Sequence, residues 1–305
     1  MGKVNRRAVL LGGAAGLLGA CSVPDEFAGA TRKQPKGGIG GTGIVGTLTD
    51  FGSVIVNGLR VTVPSDLPVR TPYGDAGQDV LALGQNLTIE AATISGRLLA
   101  RRIAVVYPIV ADLSDGDGAA MTVGGIPVRL EPGALNESAP GQRVAVSGIW
   151  NGGEIVASRL DPVDNETPVT VSGTLRLNIA EGRWTIGAMP VVLPEGVVSQ
   201  SGSFATASGA LIDGELWIER FQPGRFTGAA GALTELAIEG YLVPSPSAPF
   251  QAVDGLGHSF AEDTDLTPYA GKRTLFVGPY DGKFNVDRGQ VLEEAFDARR
   301  RQLRI

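Results

Sequence analysis

The chain repeats itself, and that repetition constrains its fold more than any other feature. VNGLRVTV at Val56–Val63 returns as VGGIPVRL at Val123–Leu130, as IGAMPVVL at Ile186–Leu193 and as VDGLGHSF at Val253–Phe260. The turn positions Gly58, Gly125, Ala188 and Gly255 stand 67, 63 and 67 residues apart. In three copies the turn pair is NG, GG or DG, where both positions tolerate the positive φ of a two-residue hairpin. A second block follows each hairpin: GQNLTIEAATISGRLLARRI from Gly84, GQRVAVSGIWNGGEIVASRL from Gly141, GSFATASGALIDGELWIERF from Gly202 and the shorter GKRTLFVGPYDGKFNVDRG from Gly271. Gly84, Gly141, Gly202 and Gly271 share one column. Gly96, Gly153, Gly214 and Gly282 share the next, and Arg102, Arg159, Arg220 and Arg288 a third. Recurrence at a period of about 60 residues marks tandem structural units.

Each unit reads as strands. IVGTL from Ile44, VSGTL from Val171 and IEGYL from Ile238 lead their copies, while the second has only a loose match around Pro108–Leu113. With 44 glycines and 19% charged residues, the composition favours turns and strands over helices. Three strands in a meander, a variable loop and a closing hairpin is the order of a small OB-like barrel. A β-sandwich built across neighbouring units is the alternative. The predicted class is therefore all-β: four tandem OB-like barrel units with a short C-terminal helix. The predicted boundaries are a signal peptide at 1–20, a lipidated flexible tether at 21–42, β units at 43–107, 108–166, 167–230 and 231–290, and a C-terminal helix at 291–305. A unit this small has a thin core, so neighbours are expected to pack on one another. In the tail, Leu292, Ala295, Phe296 and Leu303 fall on one helical face, predicted to pack on the fourth unit; contact of Arg299–Arg301 with anionic headgroups is the alternative.

The N-terminus reads as an address. Lys3, Arg6 and Arg7 precede an apolar run, Ala8–Ala20, that is shorter than the ~20 residues needed to span a bilayer. Leu18-Gly19-Ala20 leads into Cys21, the one cysteine of the chain. This resembles the lipobox of bacterial lipoproteins and implies lipidation at Cys21. Arg6-Arg7 before an apolar segment resembles a twin-arginine export signal; two ordinary charges of a general secretory signal are the alternative. Ser22, where an Asp would retain a lipoprotein in the inner membrane, points to the outer membrane, facing the periplasm or the cell surface. Two or three acyl chains hold such a protein stably, because each buried methylene contributes ~0.8 kcal/mol.

GGIGGTGIVGTLTDFGSVIVNGLRVTV, from Gly37, resembles the opening of bacterial secreted proteins classed as domain of unknown function 5666. Those proteins carry tandem β-rich units, often behind a lipoprotein signal. The resemblance is strongest over the first two copies and faint over the fourth. It implies small barrels in the cell envelope and brings no catalytic residues with it.

Few side chains suggest chemistry. A net charge of -6 disfavours nucleic acid as a partner. His258 is the sole histidine and shares its column with Val61, Val128 and Val191, so it reads as a partly buried structural residue whose partner would be an acid of the Glu262–Asp265 loop. The repeated Arg102, Arg159, Arg220 and Arg288 read as structural stems paired to nearby carboxylates. Asp112, Asp115 and Asp117 in DLSDGDG are a calcium candidate without EF-hand spacing. Glu262, Asp263 and Asp265 are candidate acids of a glycosidase. Trp184 follows the core parity of its strand; Trp150 and Trp217 flank hairpin turns, where core packing is the default reading for each and a surface that stacks sugar rings or a peptide is the functional candidate. No cofactor is expected. The functional reading is a non-catalytic envelope lipoprotein, held to the membrane by its N-terminal lipid, whose units bind or scaffold an envelope partner or glycan. The alternative is an envelope carbohydrate hydrolase with its acids in the fourth unit.

Overall fold

A computed structural model describes residues 40–115, 121–179, 182–198 and 200–304. The first copy forms β1 (Gly41–Asp50), β2 (Val54–Val56), β3 (Leu59–Thr62), an outer hairpin of β4 (Val69–Thr71) and β5 (Gly74–Ala76), then β6 (Asn86–Ile94) and β7 (Arg97–Val105). β1 pairs with β2, β2 with β3, β3 in parallel with β7, β7 with β6, and β6 with β1. The ring is a closed five-stranded barrel. Asn57 and Gly58 take φ of 57° and 70° in its first hairpin, as the NG pair predicts.

The second copy closes in the same order through β8 (Ile109–Asp115), β9 (Met121–Val123), β10 (Ile126–Asn136), β11 (Arg143–Asn151) and β12 (Glu154–Pro162). The third does so through β13 (Val169–Asn178), β14 (Arg183–Ile186), β15 (Met189–Val192), β16 (Phe204–Ile212) and β17 (Glu215–Pro223). Each ring carries a bulge at one place in its closing hairpin, after Glu90, Ser147 and Ser208. A bulge sharpens the local twist, which helps so small a barrel to close.

The fourth copy departs from the expected barrel. Its strands are β18 (Leu233–Gly240), β19 (Leu242–Pro244), β20 (Gln251–Val253), β21 (Thr274–Pro279) and β22 (Arg288–Val291). No strand follows the turn at Asp254–Gly255, and the parallel closure shrinks to a single bridge between Phe260 and Phe284. Gly257, at φ 78°, turns the chain away from the hairpin and against the backbone of Phe204. Phe260, Phe276 and Phe284 fill the space with ring contacts at 5.5 Å. Four equivalent closed barrels are thus not what the strand pairing gives: three close and the fourth stays open.

The copies are joined in pairs. β1 runs parallel to β18, and β8 pairs antiparallel with β13. This explains why β1 is buried on both faces: Ile44 and Leu48 enter the first barrel's core, while Val45 enters the fourth copy's. A helix, α1 (Phe296–Gln302), is shorter than the tail 291–305 suggested and packs on β10 of the second barrel as well as beside Leu275 of the fourth copy through Leu303. Among the described residues no helix is long and apolar enough to cross a membrane.

A buried charge network locks three copies and the tail together. Arg273 and Arg299 are both 0% exposed, and Glu131 and Glu239 both 2%. Arg273 donates to Glu239 at 2.7 Å, to Glu131 and to Thr47 Oγ1 at 3.0 Å; Arg299 donates to Glu131 at 2.6 Å. Burial pushes the Glu239 carboxyl up, but Arg273, Arg299 and the Thr47 N–H outweigh it and hold the carboxyl below its ordinary range. Arg299 therefore faces the interior and not a headgroup.

Candidate functional site

A cleft of about 790 Å³ opens between the first and third barrels. The linker between β17 and β18 forms its floor, held down by Glu90 of β6. The Glu90 carboxylate accepts from Thr227 N and Oγ1 at 2.7 and 2.8 Å and from Ala229 N at 2.7 Å. This holds Arg225, 8% exposed, with its guanidinium 4.2 Å above the Phe204 ring. Arg225 donates to Thr88 Oγ1 at 3.0 Å and to the Gly255 carbonyl at 2.9 Å; its Nε has no partner. Among the described residues no carboxylate pairs with it. Burial, and then the charge of Arg102, lowers its pKa to about 9, so it remains a cation at neutral pH.

Arg102 and Arg220, which share a repeat column, face this cleft from opposite barrels. Arg102 lies 3.6 Å from Glu90 and donates to the Arg225 carbonyl at 3.2 Å. Arg159 pairs with Asp161, whereas Arg220 is exposed and has no ion partner among the described residues. Arg288 lines a second opening, in the fourth copy. The column is therefore not uniformly a set of carboxylate-paired stems. Tyr73, which lines the cleft, donates to Thr170 Oγ1 of β13 at 3.3 Å, and burial raises its pKa.

His258 lies behind the floor, partly buried. Its Nδ1 shares a hydrogen bond of 2.9 Å with Tyr280, and its ring packs on Phe226. The partner is thus a phenol and not an acid of the Glu262–Asp265 loop, because the chain beyond Gly257 swings those acids outward, where all three are exposed. Burial, reinforced by Arg225, lowers the His258 pKa from 6.5 to about 4. As pH falls through that window the unfolded chain takes up a proton that the folded one refuses, so stability declines. The full loss is about 3 kcal/mol. Chemical denaturation at pH 7 and pH 4 is expected to show a smaller acid loss in His258→Gln than in wild type, by about that amount.

The other candidate residues are dispersed. Cys21, Arg6 and Arg7 lie outside the described residues. Asp112 is taken up by Arg143 at 2.9 and 3.1 Å, Asp115 pairs in backbone register with Met121, and Asp117 lies outside the described residues. Among the described residues no group of three or more His, Cys, Asp or Glu could hold a metal. Asp263 and Asp265 line the second opening, of about 570 Å³, with Asp287 and Tyr269. Trp184 packs half-buried on the core shared by the second and third barrels. Trp217 is 50% exposed, but Trp150 is 3% exposed and donates to the Ser172 carbonyl at 2.7 Å. A ligand surface of Trp150 and Trp217 is not formed, since Trp150 fills the junction of the second barrel, the third barrel and the fourth copy.

Residues 42–104, which span the first barrel, match the family model described as Domain of unknown function (DUF5666). No curated protein matches the chain, and no solved structure does.

Proposed function

We propose that this protein is a non-catalytic lipoprotein of the cell envelope whose OB-like units, three closed and a fourth open, present the cleft between the first and third barrels as a ligand site. The single observation that carries the binding reading is that cleft, about 790 Å³, within the roughly 300–1,000 Å³ typical of small-molecule sites. The envelope reading rests on the lipobox-like LGAC at Leu18–Cys21 and on Cys21 being the one cysteine. The buried network of Arg273, Arg299, Glu131 and Glu239 supports a rigid body and not a string of independent beads.

Cys21→Ala is expected to move the protein from the membrane fraction to the soluble periplasmic fraction. An unmodified Cys21 in the mature protein, read by mass spectrometry, would defeat the anchor. Capture from solubilised membranes on the immobilised protein, followed by identification of bound small molecules, tests the binding role. A glycan-degrading activity that disappears in Asp263→Asn would establish the hydrolase reading in its place.

A further inference from the structure

We propose that the cleft binds a small organic molecule bearing an oxyanion, phosphate or carboxylate, with Arg225 as its floor charge and Arg101, Arg102 and Arg220 on its walls. The proposal deepens the ligand-site reading above and rests on it.

The first ground is charge. The cleft is lined by five arginines and a single carboxylate, Asp75, which is already paired with Arg70. This stands out in a chain whose net charge is -6. The second is Arg225 itself. Among the described residues three arginines are buried almost completely: Arg273, Arg299 and Arg225. The fold gives the first two carboxylates and the third only a hydroxyl, a carbonyl and an aromatic face. A buried charge without a counter-charge is costly, and a site that keeps one is poised to be neutralised by an arriving anion. Glu90 does not fill that role, because its oxygens already accept three hydrogen bonds from Thr227 and Ala229 and face Arg102. The third ground is residue type. Guanidinium forks match the paired oxygens of phosphate and carboxylate, and low dielectric at the floor strengthens the attraction. The volume admits more than a bare ion, and Phe204, Tyr73 and the hydroxyl of Thr206 suit an organic body.

The test is equilibrium binding and thermal shift of the folded protein with three probes: glucose 6-phosphate, glucuronate and uncharged glucose. At least one charged sugar is expected to bind and raise Tm, weakening as NaCl rises, while glucose does neither. Arg101 and Arg220 are exposed, so Arg101→Gln/Arg220→Gln should melt like wild type without ligand yet bind the charged probe about tenfold more weakly. Arg225→Met should lose the ligand-induced rise in Tm; if that variant does not fold, the double variant decides alone. Charged sugars binding no better than glucose, or binding unchanged in the double variant, overturn the proposal. So does a single-stranded oligonucleotide that binds more tightly than either sugar. Tight binding of glucose would sink the anion proposal and leave the ligand site standing, whereas failure of all probes together with an empty capture from membranes would remove both.

Discussion

Glu131→Gln is expected to lower the free energy of unfolding by about 3–5 kcal/mol, the cost of breaking one partner out of a buried ion network. Glutamine keeps the shape but removes the charge. Arg273 and Arg299, both 0% exposed, would then share only Glu239, leaving one buried positive charge without its counter-charge. The matched surface control is Asp75→Asn. Its partner Arg70 is 57% exposed, and such pairs are worth about 0–1 kcal/mol. Urea denaturation followed by tryptophan fluorescence reads both. A Glu131→Gln protein that unfolds within about 1 kcal/mol of wild type would mean that the network contributes no more than a surface pair.

Trp150→Ala is expected to cost a similar 3–5 kcal/mol or so, the usual range for emptying a buried aromatic site. The loss has two parts. The indole leaves a cavity, and the Ser172 carbonyl loses its donor at 2.7 Å. The neighbours are shaped to this ring. A Cβ on Gly187 would run into the indole, one on Gly173 would stand 2.9 Å from its Nε1, and one on Gly255 3.1 Å from its Cδ1. Trp217→Ala, at a half-exposed ring, is expected to change stability by less than about 1 kcal/mol. The same denaturation series measures both. If Trp150→Ala were to melt like Trp217→Ala, the junction would not depend on the indole for its packing.

The repeat columns made most of the fold legible. Leu48, Leu175 and Leu242 close the leading motifs of their copies, and the pairings Leu48↔Val56 and Leu242↔Val253 are the same contact in the first and fourth. What those columns could not convey was the use made of their exceptions. Glu90 stands where the other copies have Ser147, Ser208 and Val277, and Glu239 where they have Val45 and Ser172. Each exception proved to be a fully buried carboxylate that binds another part of the chain, Glu90 the linker that carries Arg225 and Glu239 the side chains Arg273 and Arg299. A charge at a column otherwise small or apolar was the available signal. Arg225 had none, because it lies in a linker outside every column.

By itself, then, the sequence determined that this is an all-β protein of repeated meander-and-hairpin units, because alternation, turn pairs and column glycines act within a few residues of each other. Tertiary structure alone decided that β1 would serve two cores, that Trp150 would be buried, and that arginines from the first and third barrels would meet around one cleft. The reason is range. Pairing β1 with β18, or Arg273 with Glu131, joins residues more than a hundred positions apart. No local pattern records which barrels will come to rest side by side.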